Sequence, residues 1–198
     1  MRLGIMGGTF DPIHLGHLHV AQAAYEEAGL DSVLFLPDGD PPHKTPGARG
    51  EDRLNMVALA IAGQPQFAVS DMELRRPGRT YTVDTLIALI NEDSRRELHY
   101  IIGTDTLLQF PTWKTAWKVA TLCRMLVVPR PGNNLAEIRW FMGKLHADFG
   151  LHSQLLSQMG PDISSTRVRE LVAAGQPVAS LVPGAVADYI REKGLYRD

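Results

Sequence analysis

Residues 7–17 read GGTFDPIHLGH, directly after the apolar residues Leu3, Gly4, Ile5 and Met6. Two glycines, a hydroxyl, an aromatic ring, Asp-Pro and two histidines three apart suggest three uses. The first is a phosphate cradle. A strand that enters a glycine-rich loop and then a helix offers unpaired N–H groups and the positive end of the helix dipole. Glycine lets an anion approach the backbone, and His14 and His17 can donate to phosphate oxygens. If the helix has begun by His14, both rings reach one spot, and Gly16 leaves room for a base or ribose. The second use is a zinc site built from Asp11, His14 and His17, although no further Cys, Asp or Glu cluster supports it. The third is a tight turn with solvated histidines, as His19 is expected to be. The loop lacks the third glycine of GxGxxG and the Gly-Lys-Ser/Thr of a P-loop.

A second candidate lies at residues 163–169, ISSTRVR. Ser164, Ser165 and Thr166 precede the helical pattern Val168, Leu171 and Val172. They mark a helix N-terminus that can hold phosphate, cap the helix, or do both. No serine or cysteine stands beside a partner base, so a covalent intermediate is not favoured. Cys123, the single cysteine, sits among Leu122, Met125 and Leu126 and reads as a packed hydrophobe.

These groups need a scaffold, and the periodicity supplies one. Short apolar runs at 2–6, 32–37, 67–70, 98–103 and 125–129 read as strands, with a weaker one at 155–159. Helical spacing appears at 15–28, 51–62, 82–91, 135–146, 165–174 and 184–193, with a short helix at 106–110 capped by Asp105. Strand, helix and strand within the first forty residues make a parallel βαβ unit. The alternation predicts an α/β fold: a Rossmann-like, doubly wound, mainly parallel sheet with helices on both faces. One domain is expected over residues 1–198, including the helices from about 165. Ligands of such sheets sit beyond the carboxyl ends of the strands, where the loops at 7–17, 38–44 and 103–113 leave. Trp140 is expected to pack, and Trp117 to pack or to share a wall with Trp113.

Composition narrows the partners. A formal net charge of −2 without a basic stripe argues against nucleic acid. No apolar run approaches a membrane span, and one cysteine suits a reducing, cytoplasmic setting.

With these residues in view, the first motif resembles the nucleotidyltransferase superfamily marked by G-T-F-D-x-x-H-x-G-H, which is related to class I aminoacyl-tRNA synthetases. In order along the chain follow PPHK (41–44), TYTVDTL (80–86), GTD (103–105), FPTW (110–113), RPG (130–132), ISSTRVR and a terminal GLYR (194–197). Together they are similar to the nicotinate-nucleotide adenylyltransferase family over nearly the whole chain. The resemblance implies transfer of AMP from ATP to nicotinate mononucleotide, giving deamido-NAD and pyrophosphate. Attack is direct, and Mg²⁺ is carried by the ATP triphosphate. It also implies site roles. Gly8, Thr9, Phe10, His14, His17, Gly103, Asp105, Ser164, Ser165, Thr166 and Arg169 serve ATP, with His14, His17 and Arg169 stabilising the transferred charge. Asp105 accepts from a ribose hydroxyl. Lys44, Tyr81, Thr82, Val83, Trp113 and Lys114 serve the nicotinate nucleotide, with Trp113 stacked on the ring. Arg167 is expected to be solvated. Nicotinamide mononucleotide or phosphopantetheine remain alternative acceptors, and a homo-oligomer is compatible with the family.

Two departures stand out. Thr80 replaces a serine common in the family and keeps its hydroxyl. Asp38 and Asp40 put carboxylates near a site for anionic substrates, where they must face away or meet Mg²⁺.

Overall fold

Six strands, β1 (Arg2–Gly8), β2 (Ser32–Pro37), β3 (Phe67–Val69), β4 (Glu97–Gly103), β5 (Arg124–Val128) and β6 (Ser153–Leu155), form one parallel sheet in the order β3-β2-β1-β4-β5-β6, with helices on both faces, as the sequence predicts. The structure, a computed structural model, describes residues 1–39 and 46–197. The chain divides into two compact units, and β1 (Arg2–Gly8) and β2 (Ser32–Pro37) each begin in the first and end in the second.

The first unit comprises Met1–Met6, Val20–Leu34 and Tyr81–Pro161. Its centre is β4 (Glu97–Gly103), paired in parallel with β1 (Leu3 opposite Leu98) and with β5 (Arg124–Val128; Ile101 opposite Leu126). Met125, Leu126, Val127 and Val128 are all buried. An interior parallel strand has both faces covered, so it reads as an unbroken apolar run rather than an alternating one. β6 (Ser153–Leu155) adds the edge. Around these strands lie part of α1 (Leu15–Glu27), α3 (Thr82–Glu92), α4 (Thr104–Gln109), a 3-10 turn (Phe110–Thr112), α5 (Ala116–Leu122) and α6 (Leu135–Phe149). Phe110 is fully buried between the rings of Trp113 and Phe149, with centroids 5.5 and 5.6 Å away.

The second unit comprises Gly7–His19, Phe35–Thr80 and Asp162–Asp198. It holds β3 (Phe67–Val69), α2 (Gly50–Ala60), α7 (Ser165–Ala173) and α8 (Gly184–Lys193). α2 and α8 are joined by the Tyr189 hydroxyl, which donates to Asp52 at 2.9 Å and accepts from Asn55 at 3.2 Å.

Several expectations need correction. The last strand is not at 155–159 but at Ser153–Leu155, because the N–H groups beyond it go elsewhere. Leu156 still donates to Val127, but Ser157 and Gln158 donate to the Glu27 carboxylate at 2.7 and 3.0 Å. Burial alone would raise the Glu27 pKa; the two backbone donors outweigh it and hold the carboxyl below its ordinary value. The helix expected at 106–110 begins at Thr104 with Gly103 as its N-cap, so Asp105 lies inside the first turn. α5 was not anticipated: its apolar set Ala116, Val119 and Ala120 is too short to give a periodic signal. α6 runs on to Phe149, where Gly150 takes φ +71° and ends it.

Trp140 does not pack. It is 70% exposed, because α6 buries the face carrying Ile138 and Leu145, and two residues turn the helix about 200° from Ile138. Trp117 is exposed as well. Cys123 is buried as expected; burial pushes its thiol up to about 12. No helix among the described residues is long and apolar enough to cross a membrane.

These burials predict opposite outcomes for two aromatic substitutions. Phe110→Ala should cost about 3–5 kcal/mol in urea denaturation, whereas Trp140→Ser should change stability by no more than about 0.5 kcal/mol. A large loss in Trp140→Ser would contradict the face given to α6.

Candidate active site

The loop after β1 is built around a strained residue. Phe10 has φ +49°, a left-handed conformation that costs a bulky L-residue about 1–2 kcal/mol. Its ring is buried, packed against Phe35 at 5.8 Å and edge-on to His17 at 5.1 Å. That contact makes the strain useful, because it fixes one of the two histidines.

α1 begins at Leu15, so His14 immediately precedes it and His17 lies in its first turn. The His14 N–H donates to Nδ1 of His17 at 3.2 Å, and the two rings stack with centroids 3.6 Å apart. The rings thus reach one spot, as their spacing predicts. With Nδ1 accepting, the neutral His17 ring carries its proton on Nε2. His19 is exposed. A Cβ at Gly16 would lie 2.9 Å from Nδ1 of His14 and 3.5 Å from Cβ of Ile163. The missing side chain makes room for His14 and the 163–169 segment.

Asp11 ties this loop to three other segments. Its buried carboxylate accepts from the N–H groups of Gly47 (2.8 Å) and Ala48 (3.0 Å) and from the Tyr196 hydroxyl (2.7 Å). Arg169 donates through Nη1 to the Asp11 carbonyl at 2.7 Å and stands 3.8 Å from its carboxylate. A carboxylate so engaged is poorly suited to the zinc reading, and no group of three His, Cys, Asp or Glu among the described residues is placed to hold a metal. Burial, the Asp11 hydrogen bond and its charge all raise the Tyr196 pKa.

The second motif meets the first. Ser164 is the N-cap of α7, its hydroxyl accepting the Arg167 N–H at 3.2 Å. Ser165 donates to the Pro12 carbonyl at 2.9 Å, and Thr166 accepts from Nη2 of Arg169 at 3.4 Å. The hydroxyls therefore brace the loop, while the N–H groups of Ser165 and Thr166 occupy the first turn, where a helix has no acceptors of its own. Arg167 is exposed and pairs with Glu170 at 3.8 Å.

Arg53 was missed. It is 1% exposed and donates to the carbonyls of Thr9 (2.7 Å) and Asp38 (2.8 Å), joining the loops that follow β1 and β2. Its Nε has no hydrogen-bond partner among the described residues. Burial lowers its pKa, while Asp38, Asp11 and Tyr196 oppose the shift. One sequence signal existed: Arg53, Met56, Val57 and Ala60 form a helical stripe in which an arginine stands at an apolar position. The Asp38 carboxylate accepts from the Thr9 hydroxyl at 3.4 Å. Asp40, His43 and Lys44 lie outside the described residues.

The other predicted residues belong to the first unit. Tyr81 is the N-cap of α3 and makes no side-chain cap, so the first turn, with Thr82 and Val83, relies on other acceptors. Lys114 places Nζ 4.0 Å from the centroid of the Tyr81 ring and 3.5 Å from the Asp84 carboxylate. Trp113 is half-buried, edge-on to Tyr100 at 5.8 Å. Gly103 caps α4, and Asp105 pairs with Arg130 at 3.2 Å. A further missed bond runs from the Thr104 hydroxyl to Asn133 Oδ1 at 2.7 Å; that oxygen also accepts the Arg130 N–H, fixing the 130–133 turn.

Comparison with known proteins gives a consistent picture. The cytidylyltransferase-like family matches residues 5–171. The chain is 45% identical to a probable nicotinate-nucleotide adenylyltransferase of Gloeobacter violaceus, covering 98% of this chain and 96% of that one. It is 44% identical to one of Dehalococcoides mccartyi, covering 99% and 97%. Among solved structures it is similar to Plasmodium falciparum nicotinic acid mononucleotide adenylyltransferase complexed with NaAD. There the TM-score is 0.82 and the identity 17%, over 98% of this chain and 97% of that one.

Two substitutions test the bracing of the loop. Arg53→Met leaves two buried carbonyls without donors and should cost about 3 kcal/mol in chemical denaturation; a loss under about 1 kcal/mol would contradict its role. Tyr196 binds its proton more tightly folded than unfolded, so its contribution is complete below pH 10 and lost as pH rises above that value. Stability measured from pH 8 upward should fall beyond pH 10, and Tyr196→Phe should flatten that fall.

Proposed function

This chain belongs to the cytidylyltransferase-like family, among the nicotinate-nucleotide adenylyltransferases, and we propose on that premise how it moves AMP from ATP to nicotinate mononucleotide. A phosphate oxygen of the mononucleotide attacks the α-phosphorus of ATP, the bond to pyrophosphate breaks, and deamido-NAD forms. Both substrates are small phosphorylated molecules; Mg²⁺ enters with the ATP triphosphate as part of the substrate. A reaction of this kind needs positioning and charge stabilisation more than acid–base chemistry.

The observation that carries the reading is the bond from the His14 N–H to Nδ1 of His17 within the stacked pair. With Nδ1 accepting, the proton of the neutral His17 ring is on Nε2, and that N–H stabilises the oxygen charge that grows as pyrophosphate departs. Gly8, Thr9 and Phe10 shape the loop around the reacting phosphates. The first-turn N–H groups of α7 at Ser165 and Thr166 take the β- and γ-phosphates, with Ser164 holding the helix open as cap. Arg169 has N–H donors beyond those spent on Asp11 and Thr166, and clamps phosphate while bracing the loop.

For the remaining residues the support is the family resemblance together with their local setting. Gly103 and Asp105 serve the ATP ribose. Trp113 offers a ring face to the nicotinate, and the first turn of α3 at Tyr81, Thr82 and Val83 offers N–H groups to its carboxylate. Lys44 and Lys114 supply positive charge for the mononucleotide. The family match runs through both units, which supports reading the chain as one nucleotidyltransferase domain. Work in NAD biosynthesis fits a cytoplasmic enzyme.

A paired assay of nicotinate and nicotinamide mononucleotides with ATP, read by pyrophosphate release, tests the acceptor. Clear preference for the acid is expected; equal or reversed preference would overturn it, and turnover with phosphopantetheine alone would replace it. In His17→Ala the single-turnover rate should fall about a hundredfold or more with a smaller change in ATP affinity, and a near-normal rate would remove the histidine from the step. Arg169→Ala should weaken ATP binding; unchanged affinity would end its role as a clamp.

A further inference from the structure

The first unit contains a polar cavity of about 340 Å³ whose lining includes Arg2, Glu97, His99, Arg124, His152 and Gln154. It lies at the amino ends of the strands, whereas residues 7–17 follow the carboxyl end of β1. Strand register explains the lining. Arg2 is opposite Glu97, His99 opposite Arg124, and Leu126 opposite Gln154. Side chains two apart share a face, so neighbouring strands bring these groups to one side of the sheet.

His99 stands out among them. It occupies an interior parallel strand, where an apolar residue is the rule, and it is 7% exposed. Its Nδ1 is buried without a hydrogen-bond partner among the described residues, an arrangement that costs free energy. The charges around it are unbalanced. Arg2 pairs loosely with Glu97 at 3.8 Å, while Arg124 forms no ion pair among the described residues. Two guanidinium groups thus face one carboxylate. Burial lowers the His99 pKa, Arg124 and Arg2 push it the same way, and Glu97 opposes them.

We infer that this cavity is a second binding site for phosphate, taken as the free ion or as a small phosphomonoester. Two arginines match the oxygens of a tetrahedral dianion. The imidazole, once protonated, supplies a further donor, and the Gln154 amide another. The volume is at the small end for a ligand site and suits such a molecule. An anion here reverses the local field that His99 experiences, so the ring reports occupancy directly. The inference does not rest on the reaction proposed above.

The test is a titration with inorganic phosphate, and separately glycerol 3-phosphate, at constant ionic strength. Histidine Cε1–H resonances are followed by NMR, and His99 is assigned through His99→Gln. Saturable shifts of His99 and a rise in its titration midpoint are expected. Response to both probes identifies a monoester site; response to inorganic phosphate alone identifies a site for the free ion. Arg124→Ala, at an exposed position outside the catalytic loops, should weaken the His99 response roughly tenfold while the resonances of His14 and His17 respond as in the unmodified protein. The inference fails if His99 stays unmoved while His14 and His17 shift, if chloride produces the same shift, or if Arg124→Ala retains full affinity.

Discussion

A buried carboxylate holds the loop that follows β1 in shape. The Asp11 carboxylate gathers the N–H groups of Gly47 and Ala48 and the Tyr196 hydroxyl, and its backbone carbonyl accepts from Arg169, all from segments widely separated in sequence. Without the carboxylate the Gly47, Ala48 and Tyr196 donors would be buried or half-buried with no acceptor, and each such loss costs about 1–3 kcal/mol. Arg53 does the converse. It is a buried cation that satisfies two carbonyls at the ends of β1 and β2. Between them the two charges keep an irregular backbone below the surface, which a loop seldom survives.

That enclosure lets the loop hold a strained conformation. Phe10 pays for its positive φ with packing, and the packing delivers its ring edge to His17. His17 is also constrained by the His14 N–H, and His14 by the space that Gly16 leaves open. In the reaction proposed above, each constraint removes one freedom from a donor that is in place before the charge on phosphate develops. Preorganisation of this kind lowers a barrier because no dipole has to turn during the step.

Strands and helices with a full hydrophobic period were legible in the sequence, since burial on a sheet face or helix stripe imposes the pattern. The terminal helix at 184–193 and the strand pair around β4 followed from that alone. β6 was displaced because its register depends on which acceptors take the N–H groups of Ser157 and Gln158, and Glu27 lies 130 residues away from the first of them. Trp140 was misread because residue type was given more weight than its angle around α6. The stacking of His14 and His17 was legible in their spacing of three. The contact of Gly16 with Ile163 and the position of Arg53 depend on tertiary contacts that no local spacing encodes.

The charge balance explains why such arrangements matter in this protein. A formal net charge of −2 gives no long-range field to draw in polyphosphates. Of the cations in the second unit, Arg53 is spent on carbonyls and Arg167 on Glu170. In the reaction proposed above, the ATP phosphates therefore meet short-ranged donors: N–H groups at the start of α7, imidazole donors, and the part of Arg169 not used by Asp11. Short-ranged donors discriminate by geometry, because their strength collapses within a fraction of an ångström of misplacement, whereas a diffuse field attracts any anion. A loop that relies on them has to be rigid, and that requirement accounts for a buried Asp and a buried Arg beside a site for anions.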